Sequence, residues 1–557
     1  MQVYSWKKPC KDHAGGVVCG PFNGIGADFL IYGTDKPTPQ ILVYLVQARP
    51  VSNNNIPASV GSTLEDSSLG LSVEILSLVY QKQITTISSI PPQCRLNFSR
   101  TLKSSLDRVI THPKDLCSWL QLLILPICTL RLYFPKNSKE EGSGNRKRLQ
   151  TASVNQALAR WNEPHGCIDL LQQVLQEHRE VQKSRKQSKQ KRKTNVEACK
   201  KNLSQGLYTA AVRILSSSGV AYDNPDTLYQ LQHKHPHAPP PTIPTDTITA
   251  ASVVVGSNAV LKEIRSFPKG TSCGRDGLRA QHLLDALSGP AAAVSEEFLT
   301  SIAGVVNLWL SGVCTAVLGP YIASAPLTPL LKPDGGLRPI AVGTIWRRLC
   351  SKIAATSVGS EMANYLGDYQ FGVGIPCGGE SILHAANKIM ELKGAQNTIT
   401  MMLVDFANAF NLVDRTSLIS EVRARCPGIT RWVEFCYAQP ARLYYNDYIL
   451  ASVIGVQQGD PLGPLLFALV LHPLVHKIAA HCSLDMHAWY LDDGTIIGDT
   501  LEVSKSLKII QQEGDSRGLH LNIRKTEIFW PAADPRSLME DVLPANISKP
   551  YNGVKVL

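Results

Sequence analysis

Two adjacent carboxylates, Asp492 and Asp493, stand between two runs of strand-forming residues in the segment AWYLDDGTIIG, residues 488–498. Anions this close repel each other, and each is costly to bury without a counter-charge. A divalent cation at this point would make the arrangement favourable. The alternative is a plain type I′ hairpin turn, because Asp-Asp-Gly is good turn chemistry in its own right. The segment predicts a β-hairpin and leaves both explanations of its tip open.

The composition is that of a folded protein with one strongly basic tract. Hydrophobic residues make up 44% of the 557 residues and charged residues 18%, values that are typical of globular chains. Nine Lys or Arg residues against one Glu stand in residues 183–201, so most of the net charge of +11 lies there. Such a tract is usually solvated and flexible, and contact with nucleic-acid phosphates is a second role open to it.

The fourteen cysteines are scattered and include no Cys-x-x-Cys pair. Cys10, His13 and Cys19 come nearest to a metal cluster, but they lack an evident fourth ligand, so no zinc site is expected there. No signal-peptide pattern is present, and we expect free thiols in an intracellular protein, nuclear or cytoplasmic. The longest apolar run, residues 116–130, is short and contains a Gln and a Pro, so it predicts a buried core helix and no membrane span.

Sequence patterning divides the chain into four parts. Residues 1–90 are rich in Gly, Asn, Ser and Pro, and we assign them no role. Residues 91–180 have the amphipathic spacing of helices. Residues 181–250 join the basic tract to HKHPHAPPP, residues 233–241, whose three histidines beside a triproline favour an extended, flexible linker over a metal site. From residue 251 onward helical and strand patterns alternate, and this half carries the chemistry.

A second acidic site and a glycine-rich loop precede the hairpin. The segment MMLVDFANAF, residues 401–410, predicts a buried strand that ends at one carboxylate, Asp405. A lone Asp at a strand end is a common metal ligand, and a helix N-cap or a salt bridge explains it equally well. Farther on, GVQQGDPLGP, residues 455–464, leads into an apolar helix. Its glycines would let the backbone approach a bulky flat ligand, although an ordinary loop-to-helix entry has the same pattern.

A basic hairpin is predicted over LKPDGGLRPI, residues 331–340, with its tip at Asp-Gly-Gly. Lys332 and Arg338 stand on its flanks, and Arg347 and Arg348 follow. Cations in this position suit a polyphosphate, which arginine can bind bidentately. The alternative is an edge strand that is guarded by positive charge.

These motifs stand in the order basic hairpin, strand with Asp, glycine-rich QG loop, Tyr-x-Asp-Asp hairpin and finally GLHLNIRKTE, residues 518–527. In this order and spacing the chain resembles the polymerase core of reverse transcriptases, most closely those of non-LTR retrotransposon type and the related retroelement-derived proteins of plants. The resemblance covers roughly residues 255–557 and starts with KGTSCGRDGL, residues 269–278, where Arg275 replaces the usual Pro. Residues 91–180 resemble the N-terminal extension of the same plant-type proteins.

The resemblance implies a site for two magnesium ions, with manganese as an alternative. The residues that would hold them are Asp405, Phe406, Asp492 and Asp493. Bound there, the ions would activate the primer 3′-hydroxyl for attack on the α-phosphate and neutralise charge on the departing pyrophosphate. Lys525 matches a lysine that acts as a general acid towards pyrophosphate. The implied catalytic residues are therefore the three Asp residues and Lys525.

The resemblance also implies a site for the incoming nucleotide. Lys332 and Arg338 match the residues of the fingers that grip the triphosphate. Phe410 matches an aromatic side chain that crowds a ribose 2′-hydroxyl and thereby favours deoxynucleotides, although it could equally be a plain core residue. Gln458 and Gly459 match the loop that packs on the nucleotide and the template base.

The implied fold is α+β: a right-hand polymerase with fingers over residues 251–400 and a palm over residues 401–557, whose antiparallel sheet carries the carboxylates. A helical N-terminal region precedes it. Asn411 stands where many non-LTR enzymes have a second Asp, and the tetrad begins with Tyr490-Leu, where Phe-Ala is more frequent. The chain stops at residues 552–557, which resemble the start of the primer grip, so we expect the thumb to be absent.

The implied function is RNA-directed DNA polymerase activity on an RNA template and a DNA primer, with deoxynucleoside triphosphates as substrates. No segment resembles an endonuclease or ribonuclease H. One alternative is an inactive, truncated relic that only binds nucleic acid. Another is an RNA-templated RNA polymerase, against which Phe410 argues.

Overall fold

The structure, a computed structural model, describes most of the chain from residue 70 onward. The described residues are 30–31, 40–41, 70–135, 140, 142–185, 195–204, 206, 208–539 and 541–556. The group of Cys10, His13 and Cys19 lies outside them, and so do residues 186–194 at the centre of the basic tract.

Helices make up the described N-terminal region, as the periodicity predicts. They are α1 (Val73–Gln81), α2 (Arg95–Thr111), α3 (Leu116–Thr129), α4 (Ser143–Trp161) and α5 (Gly166–Arg185), and a short antiparallel pair, β1 (Leu30–Ile31) and β2 (Gln40–Ile41), precedes them. In α2, Phe98, Leu102 and Leu106 are buried at every fourth position, so one face of the helix enters the core. The carboxylate of Asp115 caps α3, which is largely buried, and the predicted core helix is confirmed.

The rest of the chain alternates helices and strands. Three helices come first: α6 (Asn195–Ser204), α7 (Tyr208–Ser216) and α8 (Pro225–Lys234). The next elements are α9 (Ser257–Arg265), α10 (Ala280–Asp285), α11 (Ser295–Leu310), α12 (Gly319–Ile322), β3 (Ala325–Leu331), β4 (Leu337–Ala341), α13 (Ile345–Leu366) and α14 (Gly378–Lys393). The last are β5 (Ile399–Val404), α15 (Ala409–Leu412), α16 (Arg415–Arg425), α17 (Thr430–Tyr437), β6 (Ala441–Tyr445), β7 (Tyr448–Ser452), α18 (Gly463–His481), β8 (Leu484–Tyr490), β9 (Asp493–Asp499), α19 (Thr500–Glu513) and β10 (Glu527–Phe529).

A four-stranded sheet with the strand order β10-β5-β9-β8 carries the predicted carboxylates, and all its strand pairs are antiparallel. Successive side chains of a strand point to opposite faces. In β5, Met402 and Val404 accordingly enter the main core, whereas Ile399 and Met401 pack in a smaller cluster with Ala386 of α14. Both faces of β5 are therefore covered, which is why its sequence is apolar throughout.

A second four-stranded sheet has the order β4-β3-β6-β7. The predicted basic hairpin is confirmed as the antiparallel pair of β3 and β4, in which Leu331 lies opposite Leu337. β3 also pairs with β6 in parallel, through Ala325 and Leu443. The protein is thus a mixture of helices and mainly antiparallel sheets, in agreement with the predicted α+β class.

α18 is mostly buried. By length and composition alone this described helix could cross a membrane, and 72% of its apolar stretch is buried inside the protein. Leu465, Phe467 and Leu469 are among its fully buried side chains. This burial is that of a core helix.

The N-terminal helices pack directly on the second half of the chain. Arg95, at the start of α2, forms a 3.0 Å salt bridge with Asp285, which also accepts a hydrogen bond from the Ile90 N–H at 2.7 Å. Farther along α2, Asp107 accepts a hydrogen bond from the Ser301 hydroxyl at 2.5 Å. The buried residues of both halves form one continuous apolar cluster. The helical region is therefore part of the same packed unit as the sheets.

Residues 235–256 contain no helix or strand. They are nevertheless hydrogen-bonded to the second half along their length. The Thr242 N–H donates to the Thr416 hydroxyl at 3.1 Å, and Arg423 donates to the Asp246 carbonyl at 2.8 Å. The segment expected to be a linker is therefore held against α16 by hydrogen bonds.

Candidate active site

The acidic pair lies at the tip of the hairpin formed by β8 and β9. Tyr490 pairs with Asp493, so the loop consists of Leu491 and Asp492. Leu491 has a positive φ of 57°, whereas Asp492 does not. A type I′ turn requires a positive φ at both positions, so the turn is not of that type. A leucine with positive φ is strained, and strain of this kind concentrates at functional sites.

Gln370 holds this strained turn in place. Its side-chain oxygen accepts a hydrogen bond from the Leu491 N–H at 2.8 Å, and its side-chain amide donates to the Leu491 carbonyl at 3.4 Å. The same oxygen accepts a bond from the Gly372 N–H at 2.9 Å. Sequence reasoning missed Gln370, because no motif around it signals a role.

β5 delivers Asp405 beside the hairpin tip. Val404, the last residue of β5, pairs with Gly494, so the next positions in this antiparallel register are Asp405 and Asp493. The carboxylate of Asp405 acts electrostatically on both Asp492 and Asp493. Three carboxylates that are far apart in the sequence therefore gather at one edge of the sheet.

The surroundings of the three carboxylates disfavour their ionised forms. Desolvation by burial is the largest cause for each, and it raises the pKa of Asp405. Burial and then repulsion from Asp405 raise the pKa of Asp492 to about 6. The pKa of Asp493 is raised well above its ordinary value by burial and then by Asp492. None of the salt bridges between described residues involves these side chains, so their charge is not balanced by a direct ion pair.

The segment after α19 holds Asp405 in position. The Asn522 side chain donates to Oδ2 of Asp405 at 2.7 Å, and the Asn522 N–H donates to the Asp405 carbonyl at 2.8 Å. The hydroxyl of Thr526 accepts a bond from the Asp405 N–H at 3.3 Å. Both residues belong to the motif GLHLNIRKTE, so the order of the motifs could have led to them.

The donor set suits a hard divalent cation, because carboxylate oxygens with unbalanced charge are the ligands that magnesium prefers. Phe406 offers no side-chain ligand, since its ring is buried against Trp489 with the ring centroids 5.8 Å apart, and only its backbone carbonyl could contribute. Within the described ranges, no three Asp, Glu, His or Cys side chains come close enough to hold a metal ion. The carboxylates share one edge of the sheet without forming such a cluster.

A positive group adjoins the carboxylates. Lys332 follows β3 and is half-buried, and its pKa is lowered first by burial and then by Arg338 and Lys525. Lys525 forms a 3.2 Å ion pair with Asp334 at the tip of the basic hairpin. The negative charge of Asp405 raises the pKa of Lys332. Lys332, Arg338 and Lys525 therefore lie within electrostatic range of one another and of the acidic edge.

Arg347 and Arg348 do not belong to this positive group. Arg347 is 1% exposed and donates to Asp460 at 2.8 Å and to the Ala323 carbonyl at 2.6 Å. Arg348 is 3% exposed and donates to the Ser272 carbonyl. The expectation that these cations serve a polyphosphate is wrong, because α13 carries both into the core, where a buried cation needs such partners.

Phe410 lies on the short helix α15, one turn beyond Asp405. Its ring is half-buried and stacks on Phe467 of α18, with the centroids 4.8 Å apart and the planes 12° from parallel. The Phe410 carbonyl accepts a hydrogen bond from the Val456 N–H at 2.6 Å. The ring is thus fixed from one side by an aromatic contact.

The glycine-rich loop approaches the chain's own backbone. Gly455 has a φ of 72°, and a Cβ there would lie 2.2 Å from the carbonyl carbon of Asn411. Gly459 has a φ of 133°, and a Cβ there would lie 2.4 Å from the carbonyl oxygen of Ala341. The Gln458 carbonyl accepts a bond from the Ala341 N–H at 2.8 Å. These glycines therefore fasten the loop to β4 and to the segment that follows Asp405.

Comparison with known proteins agrees with the motifs. Residues 330–547 match the family described as reverse transcriptase (RNA-dependent DNA polymerase). Over 290 residues the chain is 26% identical to the retrotransposable element SLACS 132 kDa protein of Trypanosoma brucei gambiense. That similarity covers 51% of this chain and 23% of the relative. The predicted resemblance to a reverse transcriptase of retroelement origin is confirmed, whereas the plant-type resemblance stays a prediction.

Proposed function

We propose that the reverse-transcriptase domain of residues 330–547, which is of retroelement origin, synthesises DNA on an RNA template by transferring deoxynucleotides to a primer 3′-hydroxyl. One observation carries the proposal beyond family similarity. Asp405, Asp492 and Asp493 gather at the end of one sheet without a direct ion pair, although burial and repulsion disfavour their charges. Buried carboxylates that repel one another and have no ion-pair partner are typical of a metal site without its cations.

The three carboxylates would hold the metal ions, with the carbonyl of Phe406 as a further ligand. When bound, a pair of Mg²⁺ or Mn²⁺ ions supplies activation of the primer hydroxyl and neutralises charge on the leaving pyrophosphate. Gln370 holds the hairpin turn that carries Asp492. Asn522 holds the carboxylate of Asp405. Both residues would therefore orient the metal ligands. Outer partners of this kind support both metal affinity and activity.

The positive group would bind the triphosphate. Arg338 can bind two phosphate oxygens at once through its guanidinium group. Lys332 can attract the phosphates as a point charge. Each cation would also offset the negative charge that the substrate brings to the acidic edge. Lys525, which is exposed and is paired with Asp334, would give a proton to the leaving pyrophosphate.

Phe410 would select the sugar. Its ring, held by the stack on Phe467, would crowd a ribose 2′-hydroxyl and leave space for a deoxyribose. Gln458 and Gly459 would pack on the base pair between nucleotide and template. Because Gly459 touches β4, this loop also ties the nucleotide site to the basic hairpin.

A second candidate is a domain that binds nucleic acid without catalysis. It is favoured by the finding that the described residues contain no cluster of three side chains able to hold a metal ion. A binder of this kind would retain RNA in a salt-sensitive manner and give no product.

Primer extension separates the two candidates. The full chain is incubated with poly(rA)/oligo(dT), dTTP and Mg²⁺ or Mn²⁺, beside Asp492→Asn. Extension that disappears in the variant supports the polymerase. Retention of the duplex without extension, in protein whose circular dichroism shows it to be folded, supports the binder.

A further inference from the structure

The C-terminal end of α8 lies beside the candidate site, although this helix precedes the matched segment of residues 330–547. Leu231 is fully buried in a cluster with residues of β3, β4, β6 and β7. At the end of α8, the Lys234 carbonyl accepts a hydrogen bond from the Asn408 side chain at 3.0 Å. The backbone at the end of α8 is therefore held by the Leu231 cluster and by Asn408.

Asn408 connects this helix end to the catalytic strand. It follows Asp405 by three residues and has a φ of 52°. Its side-chain oxygen accepts a bond from the Asn411 amide at 2.8 Å, while its own amide donates to Lys234. An ionised Asp at position 411, as in many of the enzymes that the chain resembles, could not donate the first of these bonds. Asn411 at this position therefore allows the hydrogen bonds by which Asn408 holds the end of α8.

Lys234 is half-buried within electrostatic range of two other lysines. Burial is the largest cause that lowers its pKa, and repulsion from Lys332 and Lys525 follows. The carboxylate of Asp334 raises the pKa of Lys234. Asp334 is already paired with Lys525 at 3.2 Å. Asp405 also acts on Lys332 and Lys525, but it belongs to the acidic edge. An anion bound among the three ammonium groups would therefore relieve their mutual repulsion.

We propose that Lys234 binds the triphosphate of the incoming nucleotide, as a further cation beside Lys332, Arg338 and Lys525. This assignment rests on the proposed polymerase function and extends the nucleotide site to a helix outside residues 330–547. A lysine at a helix C-terminus also stabilises the helix through its dipole. That effect explains a cation on this turn of α8, but it gives no reason to place the cation next to two lysines.

The test compares Lys234→Gln, which removes the charge, with Lys234→Arg, which retains it. Lys262→Gln, at an exposed lysine of α9, is the charge-matched control. Four quantities are measured on the full chain: the KM for dTTP, the Kd for the template–primer, the Kd for inorganic tripolyphosphate by calorimetry, and the melting temperature. We expect Lys234→Gln to raise the KM and the tripolyphosphate Kd roughly tenfold, the value of one charged contact, with the template–primer Kd unchanged. Lys234→Arg should recover most of the loss, and Lys262→Gln should resemble the wild type.

Three results would overturn the assignment. Unchanged tripolyphosphate affinity with a lower melting temperature would make Lys234 a helix-end residue only. An equal loss in template–primer affinity would assign it to the nucleic-acid backbone. Tripolyphosphate binding needs no turnover. If the wild type is inactive but its tripolyphosphate affinity still depends on Lys234, the polymerase function is rejected and Lys234 remains a polyphosphate ligand. The third overturning result is an active wild type with an unchanged KM in Lys234→Gln, which would keep the polymerase function and reject the role of Lys234.

Discussion

Asn522 holds Asp405 twice, through its side-chain amide to Oδ2 at 2.7 Å and through its backbone N–H to the Asp405 carbonyl at 2.8 Å. The two residues are 117 positions apart in the sequence. The side-chain bond lowers the pKa of Asp405 against the larger, opposite effect of burial. The motif around Asn522 therefore acts on the candidate metal site by orienting one of its ligands.

We expect Asn522→Ala to reduce DNA synthesis by roughly 10- to 100-fold and to move its Mg²⁺ requirement to higher concentrations. The carboxylate of Asp405 loses its orientation and its pKa rises, so metal ions compete less well with protons. Primer extension across a Mg²⁺ titration measures both effects. His520→Gln, which changes an exposed side chain of the same segment, is the control. The same Mg²⁺ requirement in both variants would show that Asn522 does not act through the metal.

Asp492→Asn should stabilise the metal-free protein while it abolishes synthesis. The folded chain raises the pKa of Asp492 to about 6, above the usual value of ~3.9. A raised carboxyl pKa costs stability as the pH rises through this interval, because the fold disfavours the ionised form. Asparagine removes the cost, which is on the order of 1 kcal/mol once partial exposure is allowed for.

Thermal unfolding in EDTA checks the sign of this effect. The variant should melt above the wild type at about pH 7.5, and the difference should shrink steadily as the pH falls from about 6 towards about 4, where Asp492 is protonated in the folded state. Added Mg²⁺ should stabilise the wild type and leave the variant unchanged. A variant that is less stable at both pH values would mean that Asp492 is satisfied by the protein itself.

The elements that could be predicted from the sequence have local signals. The hairpins of β3–β4 and β8–β9 are specified by strand-forming residues on either side of Asp-Gly-Gly and Asp-Asp-Gly. The apolar run of β5 ends at Asp405, and the buried run of α3 begins after an Asp cap. Each of these patterns lies within a short stretch of the chain, so no tertiary partner is needed to recognise it.

The remaining parts of the site depend on partners that are distant in the sequence. Arg347 looks like a phosphate ligand until Asp460, 113 residues away, is seen to pair with it in the core. Gln370 gains its role only through Leu491, 121 residues away. Lys234 stands in a segment whose composition indicates a linker, and its neighbours Lys332 and Lys525 come from two other parts of the chain. Sequence order supplies no information about such contacts.

The stack of Phe410 on Phe467 predicts a graded loss of sugar selectivity. Phe410→Ala should lower the preference for dTTP over UTP by roughly 10- to 100-fold, because the 2′-hydroxyl then meets no ring. Phe467→Ala should lower it less, since Phe410 is retained but loses its support at 4.8 Å. Competition between the two nucleotides in primer extension measures the ratio.

Phe435→Ala, which removes another stacked phenylalanine on α17, is the control for general loosening of the core. Its selectivity should equal that of the wild type. Equal selectivity in Phe410→Ala would make Phe410 a core residue without a role in choosing the sugar. A wild type that prefers UTP would contradict the proposal that the protein is a DNA polymerase.

The contact of Gly459 with β4 predicts a substitution that damages stability and activity together. Gly459→Ala places a Cβ 2.4 Å from the Ala341 carbonyl oxygen at a φ of 133°. We expect a loss of at least ~2 kcal/mol in the free energy of unfolding, from backbone strain and overpacking combined. Gly335→Ala, at the hairpin tip, has a positive φ of 80° but nothing within 4 Å. It should cost only about 1 kcal/mol.

Urea unfolding of the two alanine variants separates close contact from backbone conformation. If both lose the same stability, the positive φ is the whole cause and the contact with Ala341 contributes nothing. A larger loss in Gly459→Ala supports the contact, and it carries a second consequence. The Ala341 N–H donates to the carbonyl of Gln458 at 2.8 Å, so a loop that moves away from β4 also loses this bond. The KM for dTTP should then rise in Gly459→Ala, because β4 and the loop no longer hold the two sides of the nucleotide site together.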